Sequence, residues 1–223
     1  MPLIRSRRVF AAKVESTIGT AETLASADTA FRAFNPMIQA NIEMQQRMNP
    51  TKFGNIDSIP GNRIGTLTFQ TECYGDAAGA APGWASILFP ACNFVELSAD
   101  VFTPVSSGPG SGGNDPKTLT MAIYQDGILK RLTGAMGTFQ ITGESGKSLM
   151  FDWTFTGIFD EPTDVAMLSQ VTLDPADTSP MLFKNISLTL GGSAPGCVNA
   201  ATIDIGNNVI ARPCATKANG IES

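Results

Sequence analysis

The chain has 223 residues, a formal charge of −5 and only 16% charged residues, well below the roughly 25% of an ordinary soluble domain. It contains no histidine, which excludes His-based acid–base catalysis, Ser-His-Asp triads and His-ligated zinc or iron. The negative balance also argues against a basic nucleic-acid reader, which needs a Lys/Arg field to neutralise phosphates.

Residues 1–8 read as a basic N-terminal arm, expected to stay mobile until something orders it. No apolar run long enough for a signal peptide follows it, and no stretch approaches a membrane span. Val9 to Glu15 fits a first strand. Thr17 to Thr29 is small, polar and Ala-rich, and fits a loop or a weak helix equally. From Pro36 the pattern sharpens: Ile38, Ala40, Ile42 and Met44 alternate with Gln39, Asn41, Glu43 and Gln45, which predicts a long strand or extended arm. Residues 49–62 read as a loop rich in Asn, Gly and Pro, yet it carries Phe53, Ile56 and Ile59. Apolar residues on a loop usually cover something, either the chain's own core or a neighbouring subunit.

Thr66 to Tyr74 predicts another strand, with Leu67, Phe69 and Cys73 opposite Thr66, Thr68, Gln70 and Glu72. Trp84, Ile87 and Leu88 fall at helix spacing, so residues 83–92 are the expected helix, ending near Pro90. Residues 104–116 are Gly/Ser-rich and read as a flexible loop. Lys117 to Phe159 reads as four consecutive antiparallel strands with one buried face. Leu119, Met121 and Ile123 alternate with Thr118, Thr120 and Ala122, and Asp126-Gly127 supplies a tight turn. Ile128 to Leu132 returns, Thr133-Gly134 is read as a second turn, and Phe139 and Ile141 then oppose Thr138, Gln140 and Thr142. In the last strand Leu149, Phe151, Trp153 and Phe155 oppose Asp152, Thr154 and Thr156. Asp160 to Pro180 is an acidic, Pro-containing loop. Ile186-Leu188-Leu190 and Ile203-Ile205 read as closing strands, and 215–223 as a polar tail. The whole predicts one β-rich domain over 9–214.

Three motifs are decoys. Gly143-Glu-Ser-Gly-Lys-Ser148 resembles the end of a phosphate-binding loop, but Ile141 stands where the pattern needs glycine and a strand, not a helix, follows. The carboxylates between Asp160 and Asp177 match no calcium-loop spacing. Nothing points to a paired-carboxylate glycosidase. The expectation is therefore no catalytic residue, no cofactor and no metal. The four cysteines, Cys73, Cys92, Cys197 and Cys214, form no CxxC pair. Buried free thiols are expected, with a Cys197–Cys214 bridge left open.

Several of these stretches carry a family resemblance. Ala122 to Phe139 (AIYQDGILKRLTGAMGTF) followed by Leu149 to Gly157 (LMFDWTFTG) resembles the tail tube, or major tail, proteins of long-tailed bacteriophages. Lys13 to Thr20, Ile59 to Arg63 and Pro82 to Leu88 resemble the same family in the same order, so the likeness runs from about Val9 to Pro213. It implies a mainly β, antiparallel sandwich or partly open barrel with one short helix and long loops. It further implies hexameric rings stacked into a tube, which conducts double-stranded DNA without reading it. Implied partners are a tape-measure protein, a tail terminator and baseplate or tip proteins. The implied place is the virion tail, after synthesis and assembly in the host cytoplasm.

Under that resemblance some Lys- and Arg-poor polar faces would line the lumen, and the candidates are Gln39, Asn41, Glu43, Gln45, Thr68, Gln70, Glu72, Asp152 and Thr154. Phe53, Ile56 and Ile59 are the candidates for contacts between rings. A capsid decoration or baseplate β-sandwich is the second reading, and a carbohydrate-binding adhesin the third.

Overall fold

Alternating apolar residues and glycine-bearing turns put most of the chain into antiparallel strands around an aromatic core, as seen in a computed structural model of the protein. The structure describes residues 4, 7–48, 56–74, 81–99, 101–105, 117–171, 180–187, 189, 191–193, 197–217 and 221–222. Strand β1 is Arg8–Val14, β2 is Phe34–Arg47 and β3 is Ile56–Glu72. A single helical turn, α1, covers Ala85–Leu88 and continues as a 3-10 turn over Phe89–Cys92. Pro90 explains the shortness, because it cannot donate to a continuing α-ladder; Asn93, at φ 65°, then turns the chain out. Next come β4 (Phe94–Ser98), β5 (Val101–Pro104), β6 (Leu119–Gln125), β7 (Ile128–Glu144) and β8 (Met150–Phe159). Short strands β9 (Thr163–Asp164), β10 (Ala200–Asp204), β11 (Arg212–Pro213) and β12 (Ile221–Glu222) complete the order.

The main sheet runs β1-β6-β7-β8-β3-β2, with β9 and β10 also paired to β7. It is curled and not closed into a barrel. Its inner face holds the core. Leu67, Phe69, Phe139, Trp153 and Phe155 are each 3% exposed or less, and Trp84 and Leu88 of the helical turn pack against them. Trp84 meets Phe151 and Trp153 edge-on, with ring centroids 4.9 and 5.5 Å away. Phe89 is the hub that joins the small β4–β5 hairpin, through Phe94 and Phe102, to Phe139 and Phe151 on the sheet. Gly137 makes room for the Phe155 ring: a Cβ there would lie 2.6 Å from both a Phe155 ring carbon and the Thr154 carbonyl oxygen.

The expected meander of four strands is in fact three, because Ile128–Glu144 is continuous. Thr133-Gly134 is a bulge, not a turn. Gly134 sits at φ 64°, and the register slips between Leu119 and Met121 on one side and between Thr133 and Met136 on the other. One extra residue reverses the inward parity of a strand. Leu132 faces inward before the bulge, and Ala135 and Phe139 face inward after it, all buried.

The expectation of one buried face also needs correction. Before the bulge, the outer face of β1, β6 and β7 is covered as well, through a second cluster of Ala11, Ala122, Tyr124 and Leu24 with Val9, Leu129 and Leu168. The loop after β1 is held there by Glu15, only 5% exposed. Its carboxyl group accepts from Thr118 Oγ1 (2.6 Å), Thr120 Oγ1 (2.9 Å), the Gly19 amide (2.8 Å) and the Gly134 amide of the bulge (2.8 Å). Burying a carboxylate is costly unless its lone pairs are used, and here four donors use them. Glu22 closes the same loop by accepting from the Ser16 hydroxyl and amide, which with Lys13 hold its carboxyl down at about 2.

Other expectations change too. Ile56 to Asn62 is strand, not loop, because it zips onto β2; residues 49–55, Phe53 among them, lie outside the described residues. The N-terminal arm is tied down where it is described: the Ile4 amide donates to Asp126, and Arg7 pairs with the same side chain. The tail returns at Ile221, which is 5% exposed and pairs with Pro213. Ile186 is exposed and in no strand, while Leu188 and Leu190 lie outside the described residues, as do residues 106–116 of the Gly/Ser-rich loop. None of the four cysteines is in a disulfide, Cys197 and Cys214 included; Cys92 is the one that is buried, which pushes its thiol far up, while Cys197 is exposed and Cys73 and Cys214 are half-buried.

Candidate functional site

Among the described residues two uncovered features stand out, and both draw on the alternation of β2, β3 and β8. The first is the outer face of the sheet on the far side of the bulge. Because paired residues in an antiparallel sheet point to the same side, the register assembles polar rows across several strands. Thr68, Thr154 and Thr138 form one row; Gln70, Asp152, Gln140 and Asp204 form the next; Glu72 and Thr142 flank Met150 in a third, with Thr202 beyond. Thr66 and Thr156 lie side by side toward the other end. None of these residues is Lys or Arg. Asp152 accepts from the Gln70 amide and from Thr142 Oγ1 at 3.0 Å, so its charge is spread into a neutral network.

Sequence reasoning placed Thr68, Gln70, Glu72, Asp152 and Thr154 among the lumen candidates, and the structure brings these five together. Gln39 joins them, opposite Thr66. It missed Thr138, Gln140 and Thr142 as members, although their alternation with Phe139 and Ile141 was the available signal. Thr202 and Asp204 had no such signal, since only pairing with β7 places them there.

The join between β6 and β10 along β7 is sealed by one side chain. β6 pairs with β7 as far as Ala135 and β10 begins at Gln140. Between them the Asn207 amide nitrogen donates to Thr138 Oγ1 at 3.1 Å and its side-chain amide donates to the Cys92 carbonyl at 2.6 Å.

The second feature is the distal half of the β2–β3 hairpin. β3 pairs with β8 only from Ile64 onward, so among the described residues Ile56–Arg63 has β2 as its only strand partner. Glu43 and Gln45, two more lumen candidates, lie on this half rather than on the sheet body, and Asn41, opposite Ile64, sits on the sheet body at its root. Ile42 and Met44 face one side of the ribbon; Ile59, opposite Gln45, and Ile56, opposite Arg47, face the other. All four are exposed, at 39, 55, 46 and 37%. A two-stranded ribbon is marginal alone in water, so this one has apolar surface to bury on both sides.

Beside the hairpin's root lies a cavity of about 940 Å³ between the two ends of the curled sheet, lined by Asn35 to Ile38 of β2 and by Arg8, Ile123, Gln125 and Lys130. Among the described residues no group of three or more Cys, Asp or Glu could hold a metal ion, and no helix is long and apolar enough to cross a membrane. Both tryptophans are 1% exposed, so neither offers a face for stacking on sugars.

No curated protein matches the chain. Among solved structures, one similar chain belongs to the cryo-EM structure of the anti-feeding prophage baseplate, 6-fold symmetrised. It is 9% identical over 73% of this chain and 95% of that one, with a TM-score of 0.37, a likeness too loose to say anything of function. The family model of the phage tail tube protein matches residues 5–223, nearly the whole length and including every strand described above. The chain belongs to the phage tail tube protein family, whose members are structural proteins of the phage tail.

Proposed function

We propose that the chain is the repeating subunit of a phage tail tube, built as stacked rings with the bare polar face toward the bore. The observation that carries this is the outer face of β3, β7 and β8. The chain covers the same sheet with loops on one side of the Gly134 bulge and leaves a Thr/Gln surface free of Lys and Arg on the other. Duplex DNA carries one negative charge per roughly 1.7 Å, and a cationic wall would hold it by counterion release. A neutral to acidic wall lets it pass. In this reading Thr68, Gln70, Glu72, Asp152 and Thr154 line the bore together with Thr138, Gln140, Thr142 and Gln39.

The sheet path ends at β1 and β2, and among the described residues neither has a further strand on its outer edge. Joining such edges between copies around a ring, six in the expected symmetry, removes them without inviting uncontrolled pairing. Ring-to-ring contact is heterologous and does not close, so it propagates into a filament. The hairpin, with Ile56 and Ile59, supplies that contact, together with Phe53 from the segment between its two strands in the sequence. Filament length is then set by other proteins, a tape measure and a terminator, between a baseplate or tip and the capsid. Assembly takes place in the host cytoplasm and the product is the virion tail.

Negative-stain electron microscopy of the purified full chain at rising concentration tests the proposal. Hollow filaments or stacked rings of uniform diameter are expected. Small discrete oligomers that bind capsids instead would overturn it in favour of a decoration protein.

A further inference from the structure

The turn between β6 and β7 is held more firmly than its geometry requires. Asp126 and Gly127 form its two-residue loop, closed by the pairing of Gln125 with Ile128. Both sit at positive φ, 47° and 94°, the pattern of a type I′ turn, which Asp-Gly adopts without outside help. Here the loop is also gripped from two sides by segments distant in the chain. The N-terminal arm wraps Asp126: the Ile4 amide donates to Oδ2 at 2.9 Å, Arg7 Nη1 donates to Oδ1 at 3.3 Å, and the Asp126 amide donates to the Arg7 carbonyl at 3.0 Å. From the other side the Val165 amide, just past β9, donates to the Gly127 carbonyl at 2.9 Å. The Asp126 side chain is only 17% exposed although it stands at a hairpin tip.

The chemistry of the dipeptide gives this grip a purpose. Asp126-Gly127 is the one Asp-Gly pair in the sequence, and with no Cβ on the glycine its amide nitrogen reaches the preceding carboxyl more easily than that of any other residue. That nitrogen attacks Asp126 Cγ, the carboxyl hydroxyl leaves as water, and a five-membered succinimide closes. Water then opens the ring at one of its two carbonyls. Attack at Cγ restores aspartate; attack at the main-chain carbonyl frees the α-carboxylate and leaves the chain running through Cβ and Cγ, as isoaspartate. One water is lost and one regained, so the formula is unchanged and no other reactant is needed.

We infer that Asp126 is a self-modification site, converting to isoaspartate, and that Ile4 and Arg7 guard it. Ring closure turns Cγ onto the Gly127 nitrogen, so both carboxyl oxygens must first leave the arm, and hydrogen bonds to a charged group are the strong ones. Once formed, isoaspartate places an extra main-chain carbon between Gln125 and Ile128. The two-residue loop then no longer matches the register on its two sides, and the arm loses its anchor. The inference concerns a covalent change within a single copy and is independent of the tube reading.

The test incubates the full chain in neutral buffer made with heavy-oxygen water and follows residue 126 by peptide mapping. Electron-transfer mass spectrometry separates isoaspartate from aspartate, and incorporated oxygen counts ring openings. The synthetic peptide AIYQDGILKR, residues 122–131, gives the unguarded rate. The folded wild type is expected to react at least about tenfold more slowly than the peptide, the worth of one hydrogen bond to a charged group. Ile4→Pro with Arg7→Ala removes both donors and is expected to speed the reaction at least about threefold over wild type. Thermal melting checks that the variant is folded; if it is not, Arg7→Ala alone serves, since that side chain is 67% exposed, and is expected to act in the same direction. A wild type as fast as the peptide, or a folded variant no faster than wild type, would overturn the guard. Isoaspartate-bearing chain, separated by ion exchange, is expected to be cut by trypsin after Arg7 sooner than the unmodified chain; equal cutting would overturn the loss of anchorage.

Discussion

The two halves of the main sheet share strand β7 but are finished differently on the outside. Before the Gly134 bulge, the outward residues Leu129, Arg131 and Thr133 lie under other chain segments or are tied to them: Leu129 packs in the second cluster, and Arg131 and Thr133 both bond Asp160, at 2.6 and 2.7 Å. After it, Thr138, Gln140 and Thr142 lie in open polar rows. The chain therefore has the means to roof a sheet and uses them on one half only. Where a fold covers one half of a surface with loops and dresses the other half with uncharged hydrogen-bonding groups, the bare half is there for something outside the molecule.

Strand β8 offers the sharpest way to test that division, because it alternates between the two environments at every residue. Trp153→Ala removes a fully buried ring and its hydrogen bond from Nε1 to Thr71 Oγ1, and is expected to cost about 3–5 kcal/mol. Thr154→Ala, one position along and exposed, should change the same denaturant midpoint by under about 0.5 kcal/mol. Equal losses at both positions would mean the outer face is a second core. On the roofed half, Glu15→Ala leaves four donors without their acceptor and is expected to cost about 3 kcal/mol, with hydrogen exchange accelerating first at Gly19 and Gly134. Gly137→Ala should cost about 1–3 kcal/mol, since its Cβ meets the Phe155 ring and a backbone carbonyl that cannot yield.

Two smaller effects separate the halves by chemistry instead of stability. If the proposed bore is lined by this face, Glu72→Lys with Thr154→Lys should leave melting unchanged yet slow DNA release from particles carrying the variant; unchanged release kinetics would count against that placement. On the roofed half, Glu22 titrates at about 2 instead of near 4.5, chiefly because the Ser16 hydroxyl and amide bond its charged form. A carboxyl depressed on folding stabilises the fold above its unfolded value, and that contribution fades as pH falls through about 2. Ser16→Ala should move the titration toward 4.5, followed by the Glu22 carboxyl carbon in NMR.

Most of this division could be read from residue order alone. Alternation of Phe151, Trp153 and Phe155 with Asp152 and Thr154 dictated which face went inward, and Asp126-Gly127 fixed the hairpin before any partner was known. The bulge escaped because Thr133-Gly134 has the composition of a turn; only the change of parity between Leu132 and Phe139, which both point inward, could have revealed it. The hairpin was half legible. Residues 56–62 look like loop because Pro60 and Gly61 break the pattern, and the structure absorbs them as register slips opposite Ile42 to Met44. The cleft could not have been seen at all, since Arg8, Pro36 and Lys130 are brought together only by the curl of the sheet. Asp204 entered the polar rows in the same way, from a strand some sixty residues distant.

That long-range pairing also sets an order of events on the ribosome. Ile64 in β3 waits for its partner Ile158 in β8, and β10 must find Thr142 after the whole sheet has been laid down. At roughly 5–20 residues per second, β3 is made about 5 to 20 s before β8. During that interval β2 and β3 can pair only with each other, with Leu67 and Phe69 still in water. Non-local topologies of this kind fold slowly once the last strand arrives. The chain thus spends its first seconds as an isolated hairpin with its edges and core exposed, and protection of that nascent hairpin decides the yield of folded protein as much as the stability of the finished fold.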